Sequence, residues 1–397
     1  MGPHCSSVDV DGSISKAMER NEMIRAAQIL GKMNHGGAKS LVMEYYRHMD
    51  RDEIQFDFIV EEDSQAVPTE ELEALGARIY YVAPYQNIWK YHRDVKAICL
   101  KNRYPIVHSY LNTLNVFPLF AAKCAGVPVR ISENLSMAHK GEWKTIIKEM
   151  LRPLGKCFAT NLMCCGEDCG RWLFGNRAYD QGRVALFKTP VNAQKNAYDP
   201  ALRERTRKQY GMEDKIVLGH IARFVPQKNP LFLLDIVAAA YRLNPDVRLL
   251  LIGDGVLKNE MMRKIEDLSI SQAVVYLGIQ EEIVPLYQAM DAFLLPSLYE
   301  GLPIVGIEAQ AAGLPAFFST EVTEETGMTK LAHFLPLTLD AEEWARKILD
   351  AVEQNTERRS HCDEIKQAGF DSIEESRRLK AYYLDALGAA EKGGAKR

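Results

Sequence analysis

Two carboxylates, Glu300 and Glu308, are separated by seven residues in the segment LLPSLYEGLPIVGIEAQAAGLPAFF, residues 294–318. An apolar run ending at Leu295 reads as a buried parallel strand, which Pro296 stops. Pro303 sits where a first helical residue belongs, because its missing N–H costs nothing there. The helix should run to about Ala312, with Gly313 closing it and Pro315 just beyond. Glu300 then lies in the loop at the helix mouth, and Glu308 lies on the helix within its first turns. The amides of a helix mouth have no intrahelical partners and favour an anion. Two acids beside an anion site suit a substrate with both phosphate and sugar hydroxyls, since carboxylates accept hydrogen bonds from hydroxyls. The spacing alone is common, and taken by itself it is better explained by a capping Glu300 with a solvated Glu308.

A second group of residues carries positive charge. In GHIARFVPQKNP, residues 219–230, a strand ends at Ile221, Arg223 and Lys228 follow in a loop, and Asn229-Pro230 opens a helix. Two fixed cations at a strand end suit a diphosphate; arginine offers a planar fork and lysine a point charge. By itself this is also what a solvated basic loop looks like. In LLLIGDGVLK, residues 249–258, Gly253 and Gly255 let the chain turn tightly at a strand end. Near the start of the chain, a strand over Met23–Leu30 runs into GKMNHGGAKS, where Gly36 and Gly37 precede an apolar helix. Strand, glycine turn and helix form the layout of a loop that approaches a ligand closely. The spacing is not that of a dinucleotide fingerprint.

Taken in the setting PS-LYEGLP-IVGIEAQAAGLP, the Glu300–Glu308 pair resembles the signature of the retaining GT-B glycosyltransferases of the glycosyl transferases group 1 family (GT4), of the bacterial exopolysaccharide or capsule type. The likeness runs through nearly the whole chain from about residue 23 and is stronger in the second half. It implies a metal-independent transferase that uses a nucleotide-diphosphate sugar, a UDP-sugar ahead of a GDP-sugar, and needs no cofactor. Glu308 would hold the ribose hydroxyls. Arg223, Lys228 and the amides around Gly301, Leu302, Pro303 and Ile304 would hold the diphosphate. Glu300 would face the donor sugar. Gly253 would border the donor, Leu277, Gly278 and Ile279 would lie along the nucleobase, and the Gly36–Gly37 loop would face the donor phosphates and the acceptor. Many relatives carry a histidine after the strand equivalent to 129–131. Here the chain reads VRISENLS, so Glu133 and Asn134 occupy that place, with His108 ending the previous strand. These three are the candidates for sugar or acceptor contact. The implied acceptor is a glycan or a lipid-linked saccharide in polysaccharide biosynthesis, and nucleic acid is not a partner. A non-catalytic scaffold subunit, and a sugar-nucleotide epimerase or phosphorylase on the same fold, are the alternatives.

The elements needed to position these groups can be read from the chain. Its 397 residues suffice for two domains, and 47% apolar with 26% charged residues is the balance of a globular protein. The net charge of −4 means that any contact with phosphate or membrane must be local. Strand-like and helix-like runs alternate throughout, which implies doubly wound parallel sheets. The expected organisation is α/β: a flexible arm over 1–22, a Rossmann-like acceptor-side domain over 23–188, a Rossmann-like donor domain over 189–371, and a C-terminal helix over 372–397 crossing back. The two halves would face a central cleft. The arm lacks the apolar core of a secretory signal, and no apolar run is long enough to span a bilayer. The expected location is therefore the cytoplasm, with the inner face of the cell membrane as the alternative place of work. A helix over Trp143–Leu154 would carry Lys144, Lys148 and Arg152 on one stripe, a basic amphipathic pattern that also fits a helix packed on a sheet. Asp9 and Asp11, spaced like a metal-binding pair, belong to the arm and are set aside. Cys164, Cys165 and Cys169 cluster without a second pair at zinc spacing, so no metal site is expected.

Overall fold

In a computed structural model, described for residues 23–34, 36–136 and 149–394, the chain divides into two compact units. One comprises the chain up to Pro190 together with the chain from Ser372 on; the other is Val191–Asp371. The arm of residues 1–22 and residues 143–148 of the expected basic helix lie outside the described residues.

The first unit holds strands β1 (Ile24–Gly31), β2 (Ile54–Glu61), β3 (Ile79–Val82), β4 (Ile106–Ser109), β5 (Val129–Asn134), β6 (Asn161–Cys164) and β7 (Val184–Leu186). They form a parallel sheet in the order β3-β2-β1-β4-β5-β6-β7. Every residue of β2 is buried, as expected of a strand covered on both faces. On one face Tyr45 and Tyr46 of the helix Gly37–His48 and Tyr383 of the C-terminal helix Ser372–Gly394 pack on Phe56 and Phe58. On the other face the helices Ile88–Asn102 and Val116–Cys124 cover Ile29, Ile59 and Val107.

The second unit holds β8 (Ile216–Ile221), β9 (Val247–Ile252), β10 (Val274–Gly278), β11 (Ala292–Leu295), β12 (Ala316–Ser319) and β13 (Ala332–Leu335). Their order is β10-β9-β8-β11-β12-β13, again parallel. Local chemistry sets the helix starts here. Pro230 stands in the first turn of the helix Pro230–Leu243, and Asp340 caps Ala341–Gln354 in a capping box with Glu343. Asp199 accepts the amides of Ala201 and Leu202 at the head of Pro200–Tyr210.

The alternating runs of the sequence correspond to these elements with shifts of a few residues. Pro303, expected as the first helical residue, instead caps the helix Ile304–Ala311. Strand β13 and the helices Glu167–Phe174, Asn176–Asp180 and Cys362–Gln367 were not legible in the sequence. Each has four to eight residues, too few for a period to show, and all four residues of β13 are half-buried.

At the amino end of β11 the second unit carries a charged knot. Asp291 pairs with both Arg203 and Arg207 and accepts the amide of Val217 at 2.8 Å. Arg358 donates to the carbonyls of Tyr287, Gln288, Met290 and Ala312. Burial and the neighbouring arginine charges pull its guanidinium down to about 9. Three cations thus cover the carbonyl-rich end of the helix Val284–Ala289, where positive charge is favourable.

Candidate active site

In each sheet the strand order reverses once: between β1 and β4, and between β8 and β11. Ligands of open parallel sheets bind beyond the carboxyl ends of strands at such a reversal. The loops carrying Arg223, Lys228 and Glu300 leave β8 and β11 at that place.

The first loop is anchored before it reaches its cations. Phe224 is fully buried; its amide donates to the Asp254 carbonyl at 2.9 Å and its own carbonyl accepts the amide of Leu257 at 3.0 Å. Arg223 beside it is exposed; its carbonyl accepts the amide of Val225 at 2.9 Å, while its guanidinium makes no hydrogen bond or ion pair with another described residue. After a short turn over Pro226–Lys228 the chain reaches Lys228, whose ammonium pairs with the Glu300 carboxylate. These two side chains are only 13% and 9% exposed, so the pair is shielded far more than a surface salt bridge. Gln227 fastens the two loops together. Its carbonyl accepts the amide of Leu298 at 2.8 Å, and its side-chain amide donates to the Tyr299 carbonyl at 3.1 Å. Glu300 also forms a parallel bridge with Val322. A cation and a carboxylate are therefore held side by side on a braced loop pair.

Glu308 lies one turn into the helix Ile304–Ala311, half-buried, where its Oε2 accepts the hydroxyl of Tyr287 at 2.9 Å. Tyr287 is fully buried, and desolvation and the Glu308 charge hold its phenol well above the ordinary range, so it stays a donor. The carboxylate is oriented from behind and keeps accepting capacity for further donors. The side chains of Leu302 and Ile304 pack against the apolar cluster that contains Ile307 and Ile365, leaving their backbone as the part that can meet an anion.

The neighbouring strand ends complete the rim. The amide of Gly253 donates to the Gly278 carbonyl at 2.8 Å, and Tyr276 donates to the Gly253 carbonyl at 3.2 Å. Gly253 has φ +133°, and a Cβ there would lie 1.8 Å from the Ala222 carbonyl oxygen, so glycine is required. Leu277 is half-buried, while Ile279 is exposed. The structure thus brings Arg223, Lys228, Gly253, Leu277, Gly278, Ile279, Glu300, Gly301, Leu302, Pro303, Ile304 and Glu308 to the carboxyl ends of β8–β11 in one unit.

The first-unit candidates fall into two places. Gly36 and Gly37 open the helix after β1, both exposed, with nothing within 4 Å of an added Cβ. His108, Glu133 and Asn134 are fully buried. His108 Nε2 lies 2.9 Å from Glu133 Oε2, outside hydrogen-bond geometry, and its Nδ1 meets the hydroxyls of Tyr383 at 2.7 Å and Tyr110 at 3.0 Å. Asn134 donates to the Cys169 carbonyl at 2.6 Å. His108 thus ties the sheet to the C-terminal helix, and Asn134 ties it to the helix Glu167–Phe174. Gln227 and Tyr287 were missed by the sequence reading, because what they touch lies 72 and 21 residues away.

The model of the family described as "Glycosyl transferases group 1" matches residues 203–369. The chain is 34% identical over 361 residues to the putative glycosyltransferase EpsF of Bacillus subtilis, covering 88% of this chain and 93% of that protein. It is 29% identical over 231 residues to the UDP-Gal:alpha-D-GlcNAc-diphosphoundecaprenol alpha-1,3-galactosyltransferase of Escherichia coli, covering 55% of this chain and 58% of that protein. Among solved structures, Anabaena HepE in complex with UDP-glucose superposes with a TM-score of 0.72 at 16% identity, covering 91% of this chain and all of that one. WaaG, a glycosyltransferase involved in lipopolysaccharide biosynthesis, gives a TM-score of 0.64 at 15% identity, covering 93% and 99%. The two parallel-sheet units have the GT-B fold, and the chain belongs to the glycosyl transferases group 1 family.

Proposed function

We propose that this glycosyltransferase moves a sugar from a UDP-sugar to a glycan or lipid-linked saccharide acceptor with retention of configuration, in the synthesis of a surface polysaccharide. The observation that carries the reading is the Lys228–Glu300 pair beside the Ile304–Ala311 helix mouth, with Glu308 oriented by Tyr287 on that same helix. One rim then offers a cation and helix amides for diphosphate, a carboxylate for the donor sugar and a second carboxylate for ribose hydroxyls. The acceptor hydroxyl attacks the anomeric carbon on the face of the leaving group. The bond from that carbon to the phosphate oxygen breaks, and the acceptor proton passes to an oxygen of the departing diphosphate. Arg223 and Lys228 stabilise the charge that grows there, the task a divalent metal performs in other transferases. The names of relatives support the choice of donor and acceptor: the Escherichia coli protein is a UDP-galactose transferase to a diphosphoundecaprenol-linked sugar, and a Staphylococcus aureus relative serves capsular polysaccharide biosynthesis. Incubation with a panel of sugar nucleotides, with and without chelator, tests the proposal. Release of free UDP that needs an acceptor and survives chelation is expected; activity restored only by manganese would overturn the metal-independent mechanism.

Glu308→Gln should weaken UDP binding about tenfold, since a hydrogen bond to a charged group contributes about 1.5–3 kcal/mol. Tyr287→Phe should lose a smaller part, because the carboxylate remains but loses its orienting donor. Calorimetric titration with UDP reads both. Equal affinity in Glu308→Gln and wild type would remove Glu308 from the site.

A further inference from the structure

Three thiols meet where strand β6 runs into the helix Glu167–Phe174, and the transfer chemistry uses none of them. Cys164 is the last residue of β6, Cys165 follows it, and Cys169 is the third residue of the helix. All three are free thiols, and the sulfurs of Cys165 and Cys169 lie 3.8 Å apart. Gly170 makes room for the group, since a Cβ there would lie 2.6 Å from the Cys164 sulfur. Cys164 is fully buried in an apolar cluster with Leu173, Phe174, Ala178 and Val184. Cys169 is 7% exposed and Cys165 is half-buried, so solvent reaches the group from the Cys165 side.

The backbone around the pair is tied to the end of β5. The Cys165 amide donates to the Asn134 carbonyl at 3.3 Å, and the Asn134 side chain donates to the Cys169 carbonyl at 2.6 Å. While protonated, Cys169 can donate to the carbonyl of Gly166 at 3.1 Å or Asn134 at 3.3 Å, and Cys165 donates to that of Leu135 at 3.5 Å. Hydrogen bonds aimed at the Cys169 sulfur by Cys164 and Cys165 pull its ionisation below the ordinary thiol range and push theirs above it. Of the three, Cys169 therefore gives up its proton first, and the thiolate is the nucleophile. A disulfide needs the two sulfurs to close to about 2.05 Å.

We infer that Cys165 and Cys169 form a modification site for hydroperoxides, at which the dithiol is oxidised to an internal disulfide. The Cys169 thiolate attacks the hydroxyl-bearing oxygen of the peroxide. The O–O bond breaks, the leaving oxygen takes up the proton that Cys169 gave away, and Cys169 becomes a sulfenic acid. The Cys165 sulfur then attacks the Cys169 sulfur. The S–O bond breaks, and the hydroxyl leaves as water with the Cys165 proton. Two electrons pass from the dithiol to one peroxide, and a dithiol reductant restores both thiols by exchange. Cys164 stays a thiol, because reaching Cys169 would draw it out of its packed cluster. Cys124 and Cys157 are exposed and hydrogen-bond to no other thiol among the described residues, so each serves as an internal comparison. The site shares no residue with the donor rim.

Exposure of the whole protein to hydrogen peroxide at neutral pH, followed by iodoacetamide and peptide mass mapping, tests it. The peptide that holds both sulfurs should lose two hydrogens, fragmentation should place the bond between Cys165 and Cys169, and dithiothreitol should reverse the change. The pair should be oxidised about tenfold faster than Cys124 or Cys157, and urea should erase that preference. Cys165→Ser should stop at a sulfenic acid on Cys169, which dimedone labels. Cys169→Ser should lose the disulfide altogether, and Cys164→Ser should keep it. Thermal unfolding shows whether each variant is folded, and the mapping of wild type decides the inference where one is not. A bond made through Cys164 overturns the inference. So does oxidation of the pair no faster than that of the two exposed thiols, or a folded Cys165→Ser protein whose Cys169 takes no dimedone.

Discussion

Lys228→Ala should lower turnover by roughly a hundred- to a thousandfold, the loss seen when a group facing transition-state charge is removed. Arg223→Ala should fall in the same range. The two differ in what they do to the fold. Arg223 is exposed and bonded to no other described side chain, so its loss should move stability by less than about 0.5 kcal/mol. Lys228 neutralises a carboxylate that is 9% exposed, and its loss should cost about 1–3 kcal/mol, because Glu300 is left shielded and unpaired. Lys228→Gln keeps a donor for Glu300 and should recover much of that stability but little of the turnover. Urea unfolding and steady-state rates at saturating donor separate the two effects. An Arg223→Ala enzyme within about threefold of wild type would remove that residue from the charge-stabilising set.

The acidic motif could be read from sequence because helix signals and chemistry coincide there. Pro303, Gly313 and Pro315 fix where the helix begins and ends, which places Glu300 at its mouth and Glu308 within it. The two parallel sheets followed from buried apolar runs bounded by Gly and Pro. What stayed hidden is whatever depends on long-range contact. Gln227 meets Leu298 and Tyr299, and the Tyr287 hydroxyl meets Glu308, through contacts that no local pattern shows. The Glu133 position shows the opposite limit. Its place where relatives carry a histidine made it a candidate for sugar contact, but the pattern along β5 could not reveal that its side chain is fully buried beside His108. The Tyr383 hydroxyl that reaches His108 comes from a helix 275 residues later.

Arg203, Arg207 and Arg358 also find their partners only through long-range contact, and their knot carries the largest expected loss of stability. Asp291→Asn should destabilise the second unit by about 3–5 kcal/mol, the cost of breaking a shielded ion pair from one side. Arg207 is 9% exposed and Asp291 16%, so little water is available to replace the lost charge. Arg203 and Arg207 would then face each other and Arg358 without a counter-ion. An amide can still accept from Val217, which confines the loss to the charge. Asp246→Asn provides the comparison: Asp246 pairs with Lys215 at 2.6 Å but is 58% exposed, and its loss should leave the unfolding midpoint close to that of wild type. The knot lies at the amino end of β11 and the donor rim at the carboxyl ends of the strands, so the folded Asp291→Asn protein should bind UDP with wild-type affinity well below its melting temperature. Urea unfolding followed by tryptophan emission, with UDP titration alongside, reads both quantities. A loss below about 1 kcal/mol would show that the helix-end carbonyls alone hold the three arginines. A loss of UDP affinity in the fully folded variant would show that the two ends of the sheet are coupled.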